Sequence, residues 1–401
     1  TYSIARTIVL PRRAVLRGAG RDRTVLRTGA TPFVVITGDG EFTVEDLLIE
    51  TTYAPIVVCA PTFLPGTWEE AARIGFKWSE ARAQNVSVRR CHIRQRPMAH
   101  SDRRQDRDFL ERVREVLALN LQGYQGFQAL RFRGDDICIE DNVIYGGGSC
   151  VMLMGCGHVR VARNVLKAGP AGHTIYAYAR LQWPPGHPTG SQGAPVRGNY
   201  CREILVEDNE ITAHSERARD LFYFYGGAEN AHVARNRIAE LEPTYDAEGM
   251  GCHLWQARWM SPRLRMTGPT TGLIVDPEGE VEHEWLQDAV VDIVAGRGVG
   301  QLRRIVRREG DHLELDRPWT VEPDQTSLTV FTAPTPFHNM TFVDNYLRNT
   351  GINLIIWGCS NEVVVDGNFC ADAPGLTTWT VRLAAKQKVW GGSAFCQLIN
   401  N

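Results

Sequence analysis

Apolar and polar residues alternate in short runs along most of the chain, which is the pattern of β-strands. One unit occurs three times: an apolar run, a corner at glycine, and a second alternating run that ends on asparagine. The copies are residues 151–164 (VMLMGCGHVRVARN), 219–236 (RDLFYFYGGAENAHVARN) and 353–368 (NLIIWGCSNEVVVDGN). A two-strand unit that recurs within one chain predicts a repeat architecture.

The asparagine belongs to a motif of its own, apolar-x-apolar-x-(Asp/Arg/Gly)-Asn. It occurs at Asn142, Asn164, Asn209, Asn236, Asn345 and Asn368. The short spacings, such as the 22 residues from Asn142 to Asn164, fit one turn of a parallel β-solenoid, and the longer ones require insertions. Asparagine tolerates left-handed backbone, and its amide can bond the next asparagine in the stack, so we expect a structural ladder.

These patterns predict an all-β fold, a right-handed parallel β-helix with a small antiparallel β insert. The longest interruption contains the strand patterns VVDIVAG, RRIVRR, HLELD and SLTVFT, separated by glycine turns. We predict three parts: a parallel β-helix over 1–258, with loop or helical excursions at about 60–84, 100–120 and 181–199; an inserted small β module over 259–336; and C-terminal β-helix coils over 337–401.

Residues 7–26 (TIVLPRRAVLRGAGRDRTVL) resemble the opening coil of right-handed parallel β-helix proteins of the pectate-lyase-like superfamily. The resemblance covers most of the chain as a pattern and includes no diagnostic catalytic motif. It implies a carbohydrate-active protein that is secreted or belongs to the cell envelope. Residues 131–136 (RFRGDD) resemble the paired aspartates of polygalacturonases, but the GHG and RIK motifs of that family are missing. We therefore interpret Asp135 and Asp136 as a turn before a strand.

Charge and composition limit the kinds of molecule that the protein is expected to bind. The net charge is −2, from 44 Lys and Arg against 46 Asp and Glu, which gives no electrostatic reason to expect nucleic acid or an anionic membrane. No apolar run is long enough to span a bilayer.

The 10 cysteines lack CxxC spacing, and we interpret them as small buried residues rather than metal ligands or disulfides. The chain opens at Thr1 with no signal peptide, which is consistent with a processed or truncated start.

Aligning the units on their corner glycines predicts which side chains point outward. One outward column consists of Met154, Tyr178, Tyr225, Trp255 and Trp357, and its neighbour of Met152, Tyr176, Tyr223, His253 and Ile355. Exposed rings at strand spacing suit the apolar faces of sugars, so we predict a substrate groove. The predicted substrate-binding residues are Tyr176, Tyr178, Tyr223, Tyr225, His253, Trp255 and Trp357. The alternative is that the insertions cover these rings as a second core.

Acidic residues stand near the start of the same strands. The predicted catalytic residues are Glu248, Asp246, Asp220 and His173. Paired carboxylates beside rings are what glycoside hydrolysis needs, because one acid protonates the leaving oxygen while another activates water or attacks the sugar. We assign Glu248 as general acid and Asp220 or Asp246 as base or nucleophile. His173 or His253 would contact the substrate or tune the acid.

Two further functions stay open. A polysaccharide lyase or epimerase acting on a uronic-acid polymer would use a basic residue, for which Arg180, Arg258 and Lys167 are candidates, and could require Ca²⁺. A non-catalytic glycan-binding or adhesion protein would bind the same polymer without cleaving it. The hydrolase itself needs no cofactor or metal. Its partner would be a poly- or oligosaccharide, and a homo-oligomer such as a trimer also stays open.

Overall fold

The computed structural model describes most of the chain. The described residues are 1–30, 34–54, 56–61, 81–96, 128–169, 173–179, 181–182, 194–195, 200–213, 221–239, 248–253, 258–275, 286, 288–358, 360–373, 375–379, 381–382, 390–391, 393–394 and 397–401. Most of the predicted excursions at 60–84, 100–120 and 181–199 lie outside these ranges.

Three long parallel sheets run side by side along the chain, and each coil gives one strand to each sheet. Sheet I consists of β1 (Tyr2–Ser3), β4 (Val25–Ala30), β7 (Leu48–Tyr53), β10 (His92–Gln95), β13 (Val143–Tyr145), β16 (Val165–Ala168), β21 (Glu210–Ala213), β24 (Arg237–Ala239), β34 (Tyr346–Arg348) and β37 (Phe369–Ala371). Sheet II consists of β2 (Ile8–Val9), β5 (Ile36–Thr37), β8 (Ile56–Ala60), β11 (Gln128–Phe132), β14 (Ser149–Met154), β17 (Ile175–Tyr178), β22 (Phe222–Tyr225), β25 (Glu248–His253), β35 (Ile352–Trp357) and β38 (Leu376–Trp379).

Sheet III consists of β3 (Val15–Arg17), β6 (Phe42–Glu45), β9 (Ala83–Arg89), β12 (Gly134–Glu140), β15 (Gly157–Ala162), β20 (Cys201–Glu207), β23 (Ala228–Ala234), β33 (Phe337–Val343), β36 (Ser360–Asp366) and β41 (Ser393–Ala394), and β42 (Gln397–Ile399) also pairs with β36. Strands that neighbour each other in a sheet belong to successive coils, and every pairing within the three sheets is parallel. The predicted fold class, a right-handed parallel β-helix with an antiparallel insert, is confirmed.

The inward side chains of the three sheets make one continuous core. In sheet II, Val151 and Leu153 pair with Ile175 and Ala177 of the next coil, and all four are buried. Phe222 and Phe224 occupy the same positions one coil further and belong to the same apolar cluster. Alternation of the side chains therefore commits the intervening residues of each strand to the outer face.

The predicted asparagine ladder is present at the corner between sheets III and I. Each side-chain amide donates a hydrogen bond of 2.9 to 3.0 Å to the next asparagine, from Asn142 through Asn368. Asn401 continues the ladder after Asn368. The expected left-handed backbone lies one residue earlier than predicted: Asp208, for example, has a φ of 55° before Asn209. The asparagines bond the corners, while the Asp, Arg or Gly before each one makes the turn.

A seven-stranded antiparallel sheet separates β25 from β33. Its strands are β26 (Arg258–Met260), β27 (Arg263–Met266), β28 (Thr271–Val275), β29 (Val290–Ala295), β30 (Leu302–Glu309), β31 (His312–Leu315) and β32 (Leu328–Ala333), in the order β26-β32-β29-β30-β31-β28-β27. It has its own apolar core, which includes Val291, Ile305 and Phe331. Arg304 ties it to the β-helix by an ion pair of 2.5 Å with Glu229.

Two short antiparallel pairs complete the described strands: β18 (Leu181–Gln182) with β19 (Ala194–Pro195), and β39 (Val381–Arg382) with β40 (Trp390–Gly391). The eight described cysteines are free thiols, and six of them are buried, as the apolar strand patterns predicted. Burial raises the pKa of the Cys150 thiol to about 12, so it behaves as an inert core group. No helix in the described ranges is long and apolar enough to cross a membrane.

Candidate functional site

The outer face of sheet II carries the predicted aromatic residues, and we call it the aromatic face. Strand register places Met152, Tyr176, Tyr223, Gly251 and Ile355 in one column. The neighbouring column contains Met154, Tyr178, Tyr225, His253 and Trp357. Both columns agree with the sequence prediction except at β25.

In β25 the predicted register was wrong by two residues. His253 lies level with Tyr225 and Trp357, not with Tyr223. Gly251 occupies the position that was predicted for His253. A shift of two keeps every side chain on its predicted face, so the alternation of apolar residues cannot reveal it. Trp255, which was assigned to this column, lies outside the described residues.

Gly251 is required at its position by its neighbours on both sides. A Cβ added there would lie 2.4 Å from the carbonyl oxygen of Ile355 and 3.1 Å from a ring carbon of Tyr223. The missing side chain lets the Tyr223 ring lie against the β25 backbone. The fold therefore uses glycine here for close approach rather than for a turn.

The rings do not form the open ladder that the sequence analysis expected. Tyr223 is 0% exposed, Tyr176 4% and Tyr225 8%. They form one apolar cluster with Met152, Met154 and Ile355, against which Tyr178 and Trp357 pack while half-buried. In this respect the structure agrees with the alternative, in which the outward rings make a second core.

Ring contacts run without a break across four coils of the aromatic face. His173 stacks on Tyr176 with ring centroids 4.5 Å apart, and Tyr176 meets Tyr225 edge to face at 4.7 Å. Tyr225 lies 5.2 Å from His253, which meets Trp357 edge to face at 4.8 Å. Such offset and edge-on contacts stabilise a fixed arrangement of the rings.

Glu248 and His253 are brought together at the centre of this network. Oε2 of Glu248 lies 2.9 Å from Nε2 of His253, and both side chains are buried. The pair is close enough for a hydrogen bond, but its angles do not meet hydrogen-bond geometry, and neither atom has a hydrogen-bond partner within the described part of the chain. Buried polar atoms without a partner are uncommon in folded proteins, and a catalytic role is one explanation for them.

The four predicted catalytic residues have different outcomes. Glu248 is the first residue of β25, and its carbonyl oxygen accepts a 2.9 Å hydrogen bond from the amide of Leu221. His173 is buried just before β17, two coils from Glu248, a separation of about 10 Å at the usual strand spacing. Asp220 and Asp246 lie outside the described residues.

Two arginines on the aromatic face were not predicted as site residues. Arg131 pairs with Met152 in the sheet, and its Nε lies 3.3 Å from the sulfur of Met154. Arg133 follows β11 with the same parity, and both arginines are buried. Extending the outward columns by one coil would have found them, because Arg131 and Arg133 alternate with the core residue Phe132.

Other sequence candidates lie elsewhere. Asp135 belongs to sheet III and forms ion pairs with Arg82 at 3.1 Å and Arg202 at 2.8 Å, so the GDD motif is not part of the aromatic face. Asp136 likewise lies within β12, so the predicted turn at this pair was wrong. Lys167, a candidate lyase base, belongs to sheet I, and Arg180 and the side chain of Arg258 lie outside the described structure. Within that structure no group of three His, Cys, Asp or Glu side chains could hold a metal ion.

No protein-family model matches the chain, and no curated protein matches it. Among solved structures, the Dettilon tailspike protein is 12% identical, with 94% of this chain and 51% of that chain covered and a TM-score of 0.41. The A-module of the mannuronan C-5 epimerase AlgE4 from Azotobacter vinelandii is 11% identical, with 99% and 83% covered and a TM-score of 0.39. The DFA-IIIase from Arthrobacter chlorophenolicus, without its lid, is 11% identical, with 98% and 88% covered and a TM-score of 0.29.

The chain spans about half the length of the tailspike. At these identities the likenesses concern the coil architecture and do not identify an activity. The three parallel sheets themselves establish the architecture. The chain is a parallel β-helix protein by its fold.

Proposed function

We propose that the protein is a carbohydrate-active enzyme, a glycoside hydrolase that cleaves a poly- or oligosaccharide at the aromatic face. One observation carries the proposal: Glu248 is the sole carboxylate in the described strands of sheet II, and it lies buried against His253, whose ring contacts Tyr225 and Trp357. A buried carboxylate beside a titratable ring is an arrangement suited to proton transfer.

Glu248 is the proposed general acid. It would protonate the glycosidic oxygen while the bond between that oxygen and the anomeric carbon breaks. His253 holds a ring nitrogen 2.9 Å from the carboxylate, within reach to orient it and to exchange its proton. A second carboxylate must attack the anomeric carbon or activate water, and Asp220 and Asp246 remain the proposed candidates from the sequence.

The rings would position the sugar. Aromatic side chains offer an apolar surface with a polar edge, which matches the faces of pyranose rings. Tyr178 and Trp357 are the half-buried members of the aromatic face and lie three coils apart in the same column. We therefore assign them the first contacts with substrate, and Tyr176, Tyr223 and Tyr225 the role of holding the site in shape. A polymeric glycan substrate is consistent with a secreted or cell-envelope location.

The test is a panel of neutral and uronic-acid glycans incubated with the wild-type protein and with Glu248→Gln. Products are measured together by new reducing ends and by the ultraviolet absorbance of unsaturated sugars. A hydrolase produces reducing ends without absorbance, and Glu248→Gln should abolish them while glycan binding persists. Glycan binding with no product in either channel would overturn the proposal and favour an adhesion protein.

A lyase or epimerase acting on a uronic-acid polymer is the second candidate, favoured by Arg131 and Arg133. Guanidinium groups bind carboxylates in a bidentate manner, and neutralising a uronate carboxylate makes the neighbouring carbon-bound proton easier to remove. Arg131 lies in the same sheet as Glu248, four coils and about 19 Å away along the helix axis, and Arg133 follows its strand. Ultraviolet-absorbing product that is lost in Arg131→Met but not in Glu248→Gln would favour the lyase.

A further inference from the structure

An open cavity of about 690 Å³ lies on sheet I, away from the aromatic face. Among the described residues, its charged and aromatic lining comprises Arg27, Glu50, Arg94, Arg96, Tyr145 and Lys167. Four cations therefore face one carboxylate, although the chain as a whole has a net charge of −2. The cavity is therefore more positively charged than the molecule as a whole.

Strand register arranges most of these side chains in a straight column. Arg27 pairs with Glu50, Glu50 with Arg94, Arg94 with Tyr145, and Tyr145 with Lys167. Arg27, Arg94 and Lys167 thus occur on every second coil, about 10 Å apart along the helix axis. A regular row of cations at this spacing is complementary to a linear polyanion.

The existing ion pairs do not neutralise the column. Glu50 binds Arg27 at 2.5 Å and lies 3.6 Å from Arg94. Arg94 is also hydrogen-bonded to His92, with 3.0 Å between the nitrogens. Lys167, at the end of the column, has no carboxylate partner in the described structure. Positive charge therefore remains available at that end.

Two buried polar residues are also among those that line the cavity. Gln95 is buried, and its side-chain oxygen accepts a 3.0 Å hydrogen bond from the amide of Gly147. Thr51 also lines the cavity and is 5% exposed, and its hydroxyl has no hydrogen-bond partner in the described ranges. Tyr145 adds a partly exposed ring beside the cations.

We propose that this cavity binds an acidic oligosaccharide that lies along the helix axis, with its carboxylates against Arg94 and Lys167. Cations match the carboxylates, and the Tyr145 ring matches an apolar sugar face. The site is separate from Glu248 and takes no part in bond cleavage. It would hold an acidic chain on the protein whichever reaction the aromatic face performs.

The test measures binding of hexagalacturonate to the full chain by isothermal titration calorimetry. Lys167→Met should weaken binding by about tenfold, since a lost charge-assisted contact is worth about 1.4 kcal/mol or more. Arg317→Met, which removes an exposed cation of the insert, is the matched control and should leave the affinity unchanged.

Two further arms make the proposal falsifiable. A neutral hexasaccharide should bind at least about tenfold more weakly than hexagalacturonate, and hexathymidylate should not compete with it. Equal binding of hexathymidylate would overturn the proposal in favour of a general polyanion surface. Normal hexagalacturonate affinity in Lys167→Met would overturn the proposal, and loss of that affinity in Trp357→Ala would place the ligand on the aromatic face instead.

Discussion

Glu248 and His253 meet across the outer face of the strand that carries them both, with Oε2 of one 2.9 Å from Nε2 of the other. In a regular strand, residues five positions apart point to opposite faces. The contact requires Glu248, at the first position of β25, to depart from this alternation. The outward positions between the two residues are Gly249 and Gly251, so no side chain separates the carboxylate from the imidazole.

This arrangement predicts that Gly251→Ala disturbs the site. The added Cβ would lie 2.4 Å from the carbonyl oxygen of Ile355 and would also press on the ring of Tyr223. We expect a loss of about 1–3 kcal/mol in the free energy of unfolding, together with reduced activity. Urea denaturation measures the first effect. Gly29→Ala is the control, because nothing lies within 4 Å of its added Cβ, and it should be close to neutral.

The asparagine ladder predicts a large effect at its middle rung. The Asn209 amide donates hydrogen bonds of 2.9 Å to Asn236 and to the carbonyl oxygen of Val161, and its oxygen accepts from the backbone amide of Asn164. Asn209→Ala leaves these buried groups without partners, so we expect a loss of about 3 kcal/mol or more on chemical denaturation.

An exposed asparagine pair provides the comparison for that variant. Asn339 donates a 2.8 Å hydrogen bond to Asn230 at the surface, and its φ is 50°. Asn339→Gly keeps this backbone conformation accessible, and we expect a loss below about 1 kcal/mol. If both variants lose the same stability, the ladder is not a principal source of cohesion between the coils.

Asp292 predicts a pH dependence of the insert. It lies 1% exposed in β29, and burial, reinforced by the charge of Glu362, raises the pKa of its carboxyl from 3.8 to about 7. Its nearest amide, Nδ2 of Asn361, is 3.5 Å away. Because the folded-state pKa lies above the unfolded value, the folded state binds the extra proton and the protein loses stability as the pH rises towards 7.

Asp292→Asn removes this titration. The stability of the variant relative to wild type should therefore increase by about 1.4 kcal/mol per pH unit between pH 5 and pH 7, and should level off above that range. Urea denaturation at several pH values measures the difference. Parallel stability curves for the two proteins would show that Asp292 does not titrate in this range.

The repeat pattern predicted the fold because each coil carries its own copy of the same sequence signals. The six asparagines and the alternation at Val151, Phe222 and Leu354 depend on backbone geometry and on one shared core, so sequence carries them directly. The alternation of residues could not predict the register of β25, since a shift of two residues preserves every inward and outward assignment.

Burial of the site was also beyond the sequence. An outward ring looks the same in the pattern whether solvent or another segment lies over it, and Tyr223 is wholly buried. The contact between Glu248 and His253 was missed for a related reason. It depends on a local departure at the first residue of β25, where alternation no longer fixes the direction of the side chain.

The most direct test of the account is the turnover and affinity of Glu248→Gln on the best substrate of the glycan panel. In Glu248→Gln, kcat should fall about 10²–10⁴-fold while Kd stays within about threefold, because the amide keeps the shape of the acid but cannot deliver its proton. Glu210→Gln, at an exposed glutamate of sheet I, should match wild type in both quantities. Unchanged kcat in Glu248→Gln would contradict the assignment of this residue as the general acid.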